Sequence, residues 1–254
     1  MCPQALEGSA RTSAQAQFDD VPHRGDTACS NGYFTYAAFA GDRARAYPRF
    51  SARERRATTA RARERFLANI SHEALGGWAT APGGPEAWGL CFREEVVRRT
   101  SPPACAYCVA STGGLRAGRA VLRPRTDQLD YNYNYGPAGR ALGVDLLAHP
   151  ELVAMDGTIA FKTALVLDDR AVSKALVSRR DGGPLDPERH RRRSGATTRL
   201  GQTINIINGG IECSYAPSPA PANVQDRLRF YAYFTGRLGV TQGDSVDCGS
   251  VQHY

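Results

Sequence analysis

The stretch FLANISHEALGGWATAPGGPEAWGLCFREE, residues 66–95, sets an apolar helical pattern and a run of glycine and proline on either side of one carboxylate. Phe66, Ile70 and Glu73 fall at i, i+4 and i+7, so a helix carries all three on one face. That puts a carboxylate on the buried stripe of a helix predicted over 52–73. Desolvation there would raise its pKa, which suits a general acid working near neutral pH. An ion pair that closes the helix end is the second reading of Glu73, and periodicity leaves both open.

Further along, Glu94 and Glu95 follow Cys91-Phe92. Two carboxylates set across a cleft are the equipment of a glycosidase. A separation of about 6.5–9.5 Å leaves room for a water and inverts the sugar carbon, whereas about 5 Å makes one carboxylate a nucleophile. The tract DYNYNYGP, 130–137, supplies amides and flat aromatic faces of the kind that sugar rings with equatorial hydroxyls and N-acetyl groups require. A Tyr-rich packed turn accounts for it equally well.

Outward from this stretch the period is helical almost wherever it exists. Residues 33–47 read as a helix with an aromatic face, and short helices are predicted at 137–146, at 149–155 after His149-Pro150, and at 157–165. NVQDRLRFYAYFTGRLG, 223–239, aligns Val224, Leu228, Tyr231 and Leu238 and stops at Gly239, a C-terminal cap signal. Residues 76–126 are rich in Gly, Pro and Cys and read as loop with short elements. Residues 166–200 show no period, and a structureless loop of that length sits badly inside a compact domain. Strand signals are few, so the domain is predicted to be mainly α.

A chain of 254 residues can bury a real core, and 42% hydrophobic residues with 26 Gly and 15 Pro fit a loop-rich globular protein. No apolar run approaches the roughly 18 residues of a membrane span, so no membrane partner is expected. The first twenty residues show no continuous apolar segment of a secretory signal. The net charge of +7 comes mostly from arginine, concentrated in RERRATTARARER (53–65) and RHRRR (189–193). Such runs neutralise phosphates, but no aromatic residues interleave with them, so a solvated helix face or loop is expected and a nucleic-acid partner is not. Seven cysteines without paired zinc knuckles favour disulfides over metal, although Cys105 and Cys108 form one isolated CxxC.

The blocks FLANISHEALGGWATAPGGPEAWGLCFREE, NYNYGPAGRALGVDLL, HPELVAMDGTIAFKTAL and INIINGGIEC together resemble the family 19 glycoside hydrolases, the plant-type endochitinases. The resemblance spans well over half of 27–248, leaving 1–26 as a segment outside the catalytic domain expected at 27–250. It implies a lysozyme-like, two-lobed helical fold with a central cleft, loop-rich and disulfide-bonded. It also implies inverting hydrolysis of β-1,4-linked N-acetylglucosamine polymers by a monomer, with no metal or organic cofactor. Proteins of this kind are usually secreted or vacuolar and associated with defence against fungi. Position by position, Glu73 matches the general acid and Glu95 the general base. His72, Gln128, Tyr133, Asn134 and Asn208 match substrate-contacting positions. Glu212 and Arg227 match a charged pair that supports the second carboxylate, and Cys29 with Cys91 and Cys213 with Cys248 match two disulfides.

The chain also departs from this pattern. Asp130 stands where the family has a serine near the activated water, and Cys108 matches half of a third bridge with no partner after it. The family's aromatic Tyr-Tyr-Gly-Arg-Gly-Pro-Ile segment is absent before Gln128, as is its Trp-rich helix after Leu165. Both are recoverable in another reading frame. Codons chosen to spell VLRPRTDQLD, 121–130, read YYGRGPIQLD when entered one base later with one base restored. Segments 113–127 and 166–200 are therefore expected to be frame-shifted, which would also account for their missing period.

Overall fold

The computed structural model describes residues 15–16, 18–19, 21–40, 56–93, 132–166, 200–243 and 246–251. In chain order they form a 3-10 turn at Pro22–Gly25, α1 (Tyr36–Ala40), α2 (Arg56–Glu73), a second 3-10 turn at Pro85–Trp88, and α3 (Asn132–Leu142). Then come α4 (Leu152–Met155), α5 (157–166), α6 (Leu200–Glu212) and α7 (Ala222–Leu238), with no strand among the described residues.

Among the described residues the larger of two hydrophobic clusters is built around α2 and α7. Phe66, Leu67 and Ile70 of α2 pack with Val224, Phe230 and Phe234 of α7, and with Leu200 and Ile204 of α6. Each such side chain contributes about 1.5–3 kcal/mol by leaving water. The second cluster gathers Tyr135 and Ala138 of α3, Leu146, and Val153 of α4. Helix α5 serves both, giving Phe161 and Leu165 to the first and Ala160 and Val166 to the second. Tyr33 packs against both as well.

Helix α7 follows its predicted period. Val224 and Tyr231 are buried with Leu228 packed beside them, and Gly239 takes the left-handed conformation (φ 62°) with its N–H on the Gly236 and Thr235 carbonyls. Helix α2 ends at Glu73 as expected, but its C-terminal half crosses the core rather than the surface. The Arg-rich run is thus only partly a solvated face, because Glu64 and Arg65 are buried. Helix α3 begins five residues before the predicted 137, at Asn132. Pro137 sits inside it, where the missing N–H deletes one ladder bond and Tyr135, fully buried, anchors the preceding turn. Helix α6 lies over 200–212, where no element was predicted; Asn205, Asn208, Gly209 and Gly210 are poor helix formers, yet burial of Leu200 and Ile204 prevails. The expected boundary at 27 falls inside the packing: Phe18 and Val21 are core residues, and Phe18 stacks on Phe39 with centroids 5.0 Å apart. Of the helix predicted at 33–47, α1 covers Tyr36–Ala40; 41–47 lie outside the described residues, as does the predicted loop 167–199.

Among the described residues two disulfides, Cys29–Cys91 and Cys213–Cys248, fasten this body. The first closes 62 residues, a length at which restricting the unfolded chain contributes about 4 kcal/mol. Replacing Cys29 and Cys91 together by alanine is expected to lower unfolding free energy by about that amount. A urea titration reads it, and a midpoint unchanged from the parent would show that the bridge adds nothing.

Candidate active site

Helix α2 delivers His72 and Glu73 in its last turn. The chain stops being helical there because it must turn back at once: Gly76 donates to Trp88 O at 3.0 Å, and Cys91 and Phe92 both donate to Ala74 O, at 2.8 and 3.0 Å. A β-carbon on Gly76 would lie 2.3 Å from Cys91 Sγ, so no larger residue fits. The Cys29–Cys91 bridge is therefore pressed against the helix end that carries the carboxylate.

Arg227, in the second turn of α7, is buried and holds that carboxylate from behind. Its Nε and Nη2 fork onto Glu212 Oε2 and Oε1 at 2.8 and 3.0 Å, and Nη2 also donates to Glu73 Oε1. Nη1 donates to Asn69 Oδ1 at 3.1 Å, and Asn69 Nδ2 in turn donates to Arg65 O. Burial presses the guanidinium toward losing its proton, but the attraction of Glu73 and the hydrogen bonds and charge of Glu212 outweigh it and raise its pKa above the ordinary value. Arg227 is a fixed cation between two carboxylates.

Those two carboxylates are not equivalent. Glu212 has only 1% of its side chain exposed and accepts a further bond from Asn208 Nδ2 at 2.8 Å. Asn208 reaches it because its backbone leaves the helical region (φ −147°, ψ 33°) inside α6. Glu73 keeps 17% of its side chain exposed. Glu212 is locked and inaccessible, whereas Glu73 combines a fixed orientation with a path to solvent. The ion pair of the second reading is present, and Glu73 still keeps part of its side chain in solvent.

A second chain of contacts leaves the same helix end. His72 Nδ1 lies 2.6 Å from Asp226 Oδ2, and His72 Nε2 lies 4.0 Å from Glu73 Oε1. Asp226 Oδ1 accepts from Arg229 Nη2 at 2.9 Å, and Arg229 Nε donates to Glu86 Oε1 at 3.1 Å. Past the glycine turn, exposed Trp78 tilts on Trp88 at 5.2 Å, and Trp88 stacks on His23 at 3.9 Å.

Of the residues expected at the site, His72, Glu73, Asn208, Glu212 and Arg227 converge. Tyr133 is exposed in the first turn of α3, with Asn134 half-buried beside it. Glu94, Glu95, Gln128, Asp130, Cys105 and Cys108 lie outside the described residues. The Glu212–Arg227 pair contacts the first carboxylate, Glu73, and the second, Glu95, which it is expected to support, is among the residues not described. Asn69 and Asp226 were not anticipated. The signals for them were local: Asn69 stands one turn before Glu73 on the same face, and Asp226 immediately precedes Arg227.

Among the described residues no group of three or more His, Cys, Asp or Glu is placed to hold a metal ion, and no helix is long and apolar enough to cross a membrane. Chitinase 1 of Oryza sativa subsp. japonica is 39% identical to this chain over 249 residues, covering 95% of the chain and 74% of that protein. Endochitinase B of Nicotiana tabacum is 41% identical over 247 residues, covering 95% and 73%. The crystal structure of a family GH19, class IV chitinase from Zea mays superposes with a TM-score of 0.62 at 26% identity, covering 92% of this chain and 96% of that one. That likeness makes the helical fold lysozyme-like, with two lobes about a central cleft. The family model described as chitinase class I, glycoside hydrolase family 19, matches residues 13–248, and with relatives at this identity over nearly the whole chain the protein belongs to that family.

Proposed function

We propose that the protein is an inverting endochitinase with Glu73 as the general acid. The observation that supports this is the contrast between the two carboxylates on Arg227: Glu212 is sealed, and Glu73 is held in one orientation with solvent in front of it. In this reading Glu73 gives its proton to the glycosidic oxygen while Glu95 takes one from a water on the far side of the sugar. Arg227 steadies the negative charge left on Glu73 after transfer. His72, Gln128, Tyr133, Asn134 and Asn208 line the path of the chain of N-acetylglucosamine units, Asn208 acting also through Glu212. Chitin and its oligomers are the substrates, the enzyme acts as a monomer without a cofactor, and it works outside the cell or in the vacuole in plant defence.

A second reading is favoured by Asp130, by the lack of a family-position cysteine after Cys108 in the sequence and by the absent aromatic segment: the chain as written binds chitin without turning it over. Incubation of the folded full chain with a soluble chitin hexamer, followed by proton NMR, separates the two. Inverting hydrolysis releases the α-anomer first. A β-anomer product removes the inverting step, and retention on insoluble chitin without any product selects the second reading. The frame-shift proposal is decided apart from activity, by resequencing the gene and its transcript and by peptides across 113–127.

A further inference from the structure

We infer that Asp226 is a positioning residue that fixes the His72 ring so that a nitrogen lone pair, rather than an N–H, faces Glu73. This rests on the reading of Glu73 as the acid. An ionised Asp226 only accepts hydrogen bonds, so at 2.6 Å the proton must sit on His72 Nδ1. In the neutral ring Nε2 then carries the lone pair, and it is Nε2 that lies 4.0 Å from Glu73 Oε1.

The consequence is electrostatic. A lone pair directed at a carboxylate repels it, and the same lone pair directed at a carboxylic acid does not. The opposite tautomer, with Nε2–H toward Glu73, would favour the carboxylate. Arg227 already donates to that same Oε1 and holds negative charge there, yet a general acid has to carry its proton when substrate arrives. Asp226 supplies the counterweight through His72. The charged groups around the ring among the described residues are Glu73 on its own helix, Asp226, Arg227 and Arg229 on α7, and Glu86 on the 3-10 turn. Asp226 is itself fixed at both oxygens, with Arg229 on Oδ1 and His72 on Oδ2, and its side chain is only 7% exposed.

Arg229 makes the idea testable in an unusual way. In Asp226→Asn the amide can place either its oxygen or its NH2 toward His72. Arg229 Nη2 can only donate, so it draws the amide oxygen to itself and leaves the NH2 facing Nδ1. Nδ1 then has to accept, and the ring proton moves to Nε2. Removing Arg229 as well frees the amide to turn its oxygen back.

The experiment records the ring ¹⁵N shifts of His72 and the side-chain ¹³C shift of Glu73 in the full chain, with steady-state kinetics on the chitin hexamer. The wild type is expected to show the Nδ1–H tautomer in neutral His72. Asp226→Asn is expected to show Nε2–H, a smaller protonated fraction of Glu73 at fixed pH, and a kcat lower by about ten- to a hundredfold with KM within about twofold. Asp226→Asn combined with Arg229→Met should restore the Nδ1–H form and most of kcat, which a merely structural role would not do. Nε2–H in the wild type, or a tautomer switch that leaves Glu73 protonation unchanged, overturns the proposal. If Asp226→Asn does not fold, the wild-type ring still decides it. A wild type that shows no turnover overturns the proposed function alone, because both NMR readouts remain.

Discussion

Glu73→Gln is expected to lower kcat on soluble chitin oligomers by about 10²–10⁴-fold while the protein stays folded. The amide has the volume of the acid, and its oxygen can still accept from Arg227 Nη2, the contact that orients residue 73. What it lacks is an acidic proton. Because Glu73 is partly exposed and Glu212 keeps its fork on Arg227, the change should cost no more than about 1–2 kcal/mol of stability. Initial rates and a urea titration on the same preparation separate the two effects. KM is expected to move little, since the proton is used in the transition state rather than in holding the sugar chain. A folded variant that hydrolyses the hexamer at the parent rate would remove Glu73 from the role of acid. The buried partner gives the contrast: Glu212→Gln changes a side chain that substrate cannot touch, so any loss of rate there must pass through Arg227 or Asn208.

The sequence carried the position of Glu73 but not its environment. A helix ending at residue 73 with Phe66 and Ile70 on its inner face could be read from spacing, because amphipathic period and a following Gly-Gly are local signals. The partner of Glu73 is 154 residues away, and no period connects α2 to α7. Only the resemblance brought Arg227 and Glu212 near the site, in association with the second carboxylate; Arg227 donates to the first, Glu73, and Glu95 lies outside the described residues.

Helix α7 was legible for the same reason as α2, its apolar period and Gly239 agreeing on where it starts and stops. Helix α6 was not, since Asn208 and two glycines speak against helix and what holds it is packing of Leu200 and Ile204 against distant residues. The departure of Asn208 from helical geometry is the place where the local rule fails, and it is also where the side chain turns to reach Glu212. Helix α3 failed in the opposite direction: Pro137 looked like a start and is an interior residue, tolerated because the buried Tyr135 secures the turn before it. Burial of Glu64 and Arg65 could not be read from a charge run at all, because a run of arginines looks the same on a surface and beside buried acids.

The largest expected loss of stability is at Arg227. Its replacement by methionine keeps much of the volume and removes the cation between Glu73 and Glu212, leaving the Glu212 carboxylate, 1% exposed, with the hydrogen bond that Asn208 Nδ2 donates to it. Leaving one member of a buried pair without its counter-charge costs about 3–5 kcal/mol, a large part of the roughly 5–15 kcal/mol that holds a domain folded. Arg227→Lys keeps the charge but has no planar fork to span both oxygens of Glu212 while reaching Asn69 and Glu73, so it should fall between methionine and the parent. The diagnostic step is the double change. If the cost of Arg227→Met is mainly the stranded charge of Glu212, then adding Glu212→Gln should recover about half of it, a coupling of at least roughly 1.5–2.5 kcal/mol in a double-mutant cycle. Urea titrations of the four proteins measure it. Additive losses would mean that the guanidinium matters for its packing and not for the charges it joins, and a single variant within about 1 kcal/mol of the parent would mean that the carboxylates find other partners.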